Sequence, residues 1–465
     1  MNPFKSCAVL IAGLCAGMAW AQPPASNAAD VVRKAIDTNP EVQASWRTFR
    51  AAEYDIDFAK GGYLPTADVT AGYGKQWRNY DDPREFSGAA AEIFVVQMLY
   101  DGFKTSSDVK RFENAQLVRY FELLTQLEDT ALASVRAYQD VQRYRELVAL
   151  AEENLASHLE VYEQIEVSAR AGVARRADLE QASGRVSLAE SNLLTELANL
   201  HDVSARYLRI VGELPAADMA PLELNNSKLP VSLQEAMTLA YQGSPAFHAA
   251  LRNIEAQNAA IDSQKAAFHP ELNLSARYGT QDYVNGEVDE RRNEGRIGLD
   301  LRYNLYRGGR DQASLNKASE EFNQARDLRD KACIDMRQTL QIAYNDVQKL
   351  DQQLPILNQH RLSSNRVRAA YKGQFGISER TLLDVLDAQN EYFQASRAYT
   401  NAVYDRGTAI ARTLTAMGQL LPALEVVSND LPTLNELGAE PMTVDAESAC
   451  PADNITAMAR YSPAR

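Results

Sequence analysis

Arg296-Ile297-Gly298-Leu299-Asp300-Leu301-Arg302-Tyr303-Asn304-Leu305-Tyr306-Arg307-Gly308 is the stretch on which the fold turns. From Arg296 to Leu305, Ile297, Leu299, Leu301, Tyr303 and Leu305 alternate with Arg296, Gly298, Asp300, Arg302 and Asn304. A period of two sends successive side chains to opposite faces of a strand, so this strand has one apolar and one charged face. Just upstream, Glu271 to Tyr278 repeats the pattern through Leu272, Leu274, Ala276 and Tyr278. The polar stretch Thr280 to Gly295 between them reads as an exposed loop. A soluble sheet with one solvated face alternates in the same way, so alternation alone leaves both readings open.

The corner that ends this stretch occurs twice. Leu99-Tyr100-Asp101-Gly102 matches Leu305-Tyr306-Arg307-Gly308, and Asp178-Leu179 with Ala182 matches Asp384-Val385 with Ala388 at the same spacing. Asn39-Pro40 and Ser244-Pro245, Ile56-Asp57 and Ile261-Asp262, Lys60 and Lys265, and Pro65 and Pro270 share a spacing one residue shorter. The chain is therefore an internal duplication, and its elements must be assigned in that light. Each half, 22–224 and 225–424, reads as a short helix, a second helix, two strands and two long helices. The strands of the first half carry Ala67, Val69, Ala71 and Tyr73, then Phe94, Val96, Met98 and Tyr100. Residues 425–465 are rich in acidic, Pro and small residues, the composition of a mobile tail.

Lys104 to Ala171 contains neither Gly nor Pro, enough for a helix of roughly 100 Å at 1.5 Å per residue. A partner follows Gly172 to Val211, and the second half repeats the pair from Arg310 to Gln374 and from Glu379 to Leu420. Apolar residues every three or four positions over such lengths predict coiled-coil packing. Pro355 removes a backbone hydrogen bond, which predicts a kink or break.

The N-terminus reads as a cleaved secretory signal over 1–21: Lys5, an apolar run from Cys7 to Trp20, and the small-x-small site Ala19-Trp20-Ala21 before Gln22. That run is shorter than the roughly 20 residues of a spanning helix. Leu14 before Cys15 and Ser6 before Cys7 lack the small residue that a lipid-anchored cysteine needs. No later segment has the continuous apolar length of a spanning helix, so insertion into a membrane would use strands. A net charge of −14 argues against nucleic acid. Cys333 and Cys450, beyond the signal, are too few for a disulfide framework and have no metal spacing; one bridge between them is allowed but unsupported. His158, His201, His248, His269 and His360 are scattered, Gly72-Tyr73-Gly74 lacks the third glycine of a dinucleotide site, and no nucleophile elbow or phosphate-binding loop occurs. Neither an enzyme nor a cofactor is indicated.

Four strands cannot close a barrel in lipid, where the smallest closed barrels need about eight. Unpaired edge groups in hydrocarbon each cost several kcal/mol, so the edges must pair with other copies. Two copies would give eight strands and an interior filled with side chains, whereas three give twelve and leave a channel.

The duplicated plan, both Leu-Tyr-x-Gly corners, Gly172-Val173-Ala174-Arg175-Arg176-Ala177-Asp178-Leu179 and Arg380-Thr381-Leu382-Leu383-Asp384-Val385-Leu386-Asp387-Ala388 together resemble the TolC-like outer-membrane factor family, from Asp30 to about Leu424. The resemblance implies a mainly α protein with a membrane β-barrel portion, a homotrimer whose four strands per chain join one twelve-stranded barrel. Its coiled-coil helices would form a periplasmic α-barrel. It would be a passive conduit in the outer-membrane lipid, reaching into the periplasm and working with a periplasmic membrane-fusion adaptor and an inner-membrane ABC transporter. Arg380 to Gln389 and Asn390-Glu391-Tyr392-Phe393-Gln394-Ala395 resemble the type I protein secretion branch. The alternatives are the channel of a drug efflux pump, driven by protons, and a structural coiled-coil envelope protein, against which the alternating strands argue.

By the same resemblance the helix turns at Gly172 and at Phe375, Gly376 and Ser378 form the closed periplasmic tip, and Asp178 and Arg380 form a gate salt bridge. Asp384 and Asp387 lie one turn apart on one helix face. In a trimer they would be two rings of carboxylates, like the family's cation-selective constriction. The plainer readings are a solvated acidic face and an ordinary surface pair, which contributes roughly 0–1 kcal/mol. Two positions depart from the pattern: Phe375 stands where the family can place a Tyr, and Ser378 where the first half has Gly172.

Overall fold

The computed structural model describes residues 26–79, 84–222, 224, 226–285, 288–377, 379–426, 431–440 and 450–451. The signal segment, Gln22 and Ser378 lie outside them. The first half runs α1 (Ala28–Thr38), α2 (Pro40–Lys60), β1 (Thr66–Arg78), β2 (Arg84–Tyr100), α3 (Lys104–Arg170) and α4 (Arg176–Val211). The second runs α5 (Leu233–Gly243), α6 (Pro245–Lys265), β3 (Glu271–Asn285), β4 (Val288–Arg302), α7 (Arg310–Gly376) and α8 (Leu382–Ala416), followed by the single turn α9 (Leu420–Ala423). The matched dipeptides Asn39-Pro40 and Ser244-Pro245 are helix starts, with Pro at the first helical position where no backbone donor is required.

α3 and α7 each span 67 residues, roughly 100 Å. α7 runs unbroken through Pro355, so the expected break does not occur. Pro355 is exposed, and the carbonyl it leaves without a donor can turn to water. α3 packs along α4 and α7 along α8, while α3 also meets α6 and α8, which joins the two halves. The main core gathers Leu123, Leu127, Val135, Met237, Phe247, Leu340, Ile410 and Leu414 where the short helices brace the long ones.

The strands form one antiparallel sheet in the order β1-β2-β3-β4. Two expectations need correction. The polar stretch Thr280 to Gly295 is not a loop but continues both strands, which pair as far as Asn285 and Val288. Its polar groups bond across the sheet: Arg291 donates to Thr280 Oγ1 at 3.1 Å, and Ala89 N to Asp282 Oδ2 at 2.8 Å. The phase of β2 is also shifted. Val69 pairs with Ile93, Ile93 with Tyr278, and Leu274 with Leu299. Ile93 and Val95 therefore share the apolar face with Val69, Ala276 and Ile297, while Phe94, Val96 and Met98 lie opposite among Asp68, Arg277, Asn273 and Asp300. A bulge between Met98 and Tyr100 returns Tyr100 to the apolar side. Among the described residues nothing covers that side: Tyr73 is 78% and Ile297 80% exposed. Among the described residues, no helix is long and apolar enough to cross a membrane.

The tail also departs from expectation. Cys450 is bonded to Cys333 of α7, Arg252 donates to Glu440 O at 2.9 Å, and Arg337 reaches both Tyr241 and Pro451 O. Val426 and Ala439 are buried, and Leu431, Leu434 and Leu437 pack on the main core. The described part of the tail is thus fastened to the helices, because it carries apolar residues that composition alone averages away.

Candidate gate and channel wall

At the first helix turn, Gly172 takes φ +77°, a conformation that costs glycine little, and Val173 N and Ala174 N both donate to Ser168 O. α4 then starts with Asp178 in its first turn, whose carboxylate accepts Arg175 N at 3.3 Å. The second turn places Asp384 at the matching position of α8. Its Oδ2 accepts Thr381 Oγ1 at 2.8 Å and Thr381 N at 3.2 Å, and its own N–H donates to Thr381 Oγ1, a complete capping box. The Thr381 hydroxyl, then its backbone N–H, hold the Asp384 carboxyl below its usual range. The repeated Asp-Leu and Asp-Val dipeptides are therefore two copies of one helix start, which completes the explanation for their conserved spacing within the chain.

Arg380 and Asp178 are not joined within one chain. The Arg380 guanidinium lies over the Tyr371 ring at 4.3 Å, donates to Gln374 Oε1 at 3.0 Å and stands 4.0 Å from Asp384. Asp178 stays within its own hairpin, 3.9 Å from Arg175 Nε. Phe375 packs with Tyr371 and Tyr162 on a small core of Val161, Ile165, Ala182, Leu382, Val385 and Leu386 that fastens all four long helices at the tip. Gly376 ends α7, and Ser378 lies outside the described residues.

Asp384 and Asp387 share a helix but not an environment. Asp387 pairs with Arg185 of α4 at 2.9 Å, linking the shorter helices of the two hairpins. Further pairs tie these helices or their partners, among them buried Glu196 with Arg397, Glu153 with Arg368 at 2.8 Å and Glu160 with Lys372 at 2.6 Å. Beside Arg185, burial and then the guanidinium lower the His158 pKa to about 4, and its Nδ1 has no partner. Sequence reading missed Tyr371 and Arg185, since each gains its role only from a residue on a neighbouring turn or helix. The corner glycines Gly102 and Gly308 take φ +71° and +66°. Among the described residues there is no group of side chains able to hold a metal.

A one-faced apolar sheet with two open edges, joined to helices of roughly 100 Å that pack along shorter partners, has the form of a chain that completes a membrane barrel with other copies. The sequence profile of the outer membrane efflux protein family matches residues 31–213 and 236–419, the two repeats in turn, and the chain belongs to that family. It is similar to the outer membrane efflux protein BepC of Brucella suis, 25% identical over 83% of this chain and 84% of BepC. It is similar to the alkaline protease secretion protein AprF of Pseudomonas aeruginosa, 22% identical over 85% of each chain. In fold it resembles the CmeC outer membrane channel of Campylobacter jejuni, with a TM-score of 0.76 at 15% identity over 90% of this chain and 94% of CmeC. The protein is accordingly an outer-membrane efflux or secretion channel extending into the periplasm, of a family of channels and not of enzymes.

Proposed function

We propose that the chain is the outer-membrane channel of a type I secretion system: a passive homotrimer that exports protein, served by a periplasmic adaptor and an inner-membrane ABC transporter. The observation that carries the trimer is the sheet, whose outer strands β1 and β4 each have one free edge beside an uncovered apolar face. Likeness to a protein named for protease secretion and the Arg380 to Ala395 segment support the secretion branch. BepC is named for efflux, which favours the second reading, that this chain serves a drug efflux pump. Deleting the gene separates them: loss of a secreted protein with unchanged drug tolerance supports secretion, and the reverse outcome supports efflux.

In the trimer, Arg380 and Asp178 face each other between neighbouring hairpins and hold the tip shut, and Asp384 and Asp387 ring the constriction. Each of these groups has a local partner in the single chain, so the closed tip exchanges short-range contacts for a modest gain. Three exposed pairs contribute a few kcal/mol at most, enough to bias two states yet within reach of a docking partner. Arg380→Ala should leave the trimer folded and raise single-channel conductance in planar bilayers. Unchanged conductance would remove this pair from the gate.

A further inference from the structure

The internal repeat is copied rung by rung within the sheet. Thr66 pairs with Val96 as Glu271 pairs with Arg302; Val69 pairs with Ile93 as Leu274 pairs with Leu299; Tyr73 pairs with Ala89 as Tyr278 pairs with Gly295. The correspondence is the one that the Pro65/Pro270 and Leu99/Leu305 matches define for the whole halves. Hairpin β1-β2 and hairpin β3-β4 are therefore one structural unit used twice, with identical register. The contact between the units inside the chain is β2 on β3.

From this we infer the register in which β4 of one copy pairs with β1 of the next, a reading that rests on the proposed trimer and specifies its membrane interface. A ring built from one repeated unit closes most simply when every junction is alike, so β4 should meet the next β1 as β2 meets β3. Val96 corresponds to Arg302 and Ser275 to Thr70, so the Val96–Ser275 rung becomes Arg302 against Thr70 of the next copy. Likewise Ile93–Tyr278 becomes Leu299 against Tyr73, Val95–Ala276 becomes Leu301 against Ala71, and Phe94–Arg277 becomes Asp300 against Gly72.

Two independent features agree with this register. It sets Leu299 and Leu301 beside Tyr73 and Ala71, all on the apolar face, and Asp300 and Arg302 beside Gly72 and Thr70 on the polar one. A slip of one residue would mix the faces at every rung. It also accounts for the end of β4. The apolar alternation continues to Leu305, but the strand stops at Arg302, where its partner β3 begins at Glu271. The next copy offers Val69 to Tyr303 and Asp68 to Asn304, supplying the ladder that one chain lacks. Tyr303, 55% exposed in the single chain, is then covered on one side.

Paired cysteines test the register, because directly opposed Cβ atoms lie about 4.5–5.5 Å apart whereas a slip of two residues opens them to roughly 7–8 Å. Arg302→Cys with Thr70→Cys, and Leu301→Cys with Ala71→Cys, sample adjacent rungs of opposite hydrogen-bonding type. Arg302→Cys with Asp68→Cys and with Gly72→Cys are the slipped controls. After mild oxidation of the detergent-purified protein, at least one of the first two variants should run as a covalent trimer on non-reducing gels, several-fold more abundant than in either control. Light scattering of each variant before oxidation reports the assembly itself. A trimer that cross-links best through a slipped pair, or through none, overturns the register alone. A monomer before oxidation in every variant overturns the trimer and the register together.

Discussion

Replacing Glu128 by Gln should stabilise the protein above neutral pH and change little in acid. Glu128 sits on α3, 5% exposed, and its carboxylate accepts the backbone N–H groups of Leu420 and Leu421 at 3.3 and 3.4 Å. Burial raises its pKa from 4.5 to about 7, the two hydrogen bonds work against that rise, and the Asp129 charge adds to it. The folded state therefore prefers the protonated acid. Its contribution is fully present below 4.5 and is lost as the pH rises through about 7. The shift corresponds to roughly 3 kcal/mol per chain at 1.36 kcal/mol per pKa unit. Gln mimics the protonated acid, keeping its shape and one of the two acceptor oxygens that bond Leu420 N and Leu421 N, but never ionises. Thermal unfolding followed by far-ultraviolet circular dichroism in detergent should give the Glu128→Gln variant a higher midpoint than wild type near about pH 8, the gap closing toward about pH 4.5. An equal midpoint in alkali would show that the carboxylate is better solvated than its burial implies. A gain independent of pH would show that the effect is packing and not charge.

His158 should act in the opposite sense. Its pKa is lowered from 6.5 to about 4, so the fold loses stability as the pH falls through that window, and His158→Leu should flatten the acid limb of the same melting profile. The corner glycines should differ in tolerance although both have positive φ. A Cβ at Gly102 would meet His269 Cβ at 2.5 Å, whereas one at Gly308 meets nothing within 4 Å. Gly308→Ala should thus cost roughly 1 kcal/mol from backbone strain, and Gly102→Ala a further 1–3 kcal/mol from crowding, read as the difference between the two melting points.

Much of the architecture was legible because its signals are long and repeated. A helix of 67 residues leaves a run free of glycine and proline, and two copies of each corner mark the duplication. The phase of β2 was not legible, since Phe94, Val96 and Met98 are as apolar as Ile93 and Val95 and only pairing to β1 and β3 decides which set faces the apolar side. The polar ends of β3 and β4 looked like a loop because a ladder with polar groups on both faces has no hydrophobic period. At the tip, motif matching located Arg380, Asp384 and Asp387 but not their partners. Tyr371 lies on the preceding helix and Arg185 on the other repeat, and no local spacing announces either.

The twin caps at Asp178 and Asp384 carry a mechanical consequence. With its first turn sealed by a carboxylate, each helix start resists fraying, while the turns just before it, at Gly172 and Ile377, lie outside the helices. α4, 36 residues long, then behaves as a stiff lever of roughly 54 Å. Tilting such a lever by about 5° about its far end carries the tip through roughly 5 Å, comparable with a helix radius. In the proposed trimer, small angular changes at the braced core would thus appear as changes of the whole aperture at the tip, with no helix unwinding on the way.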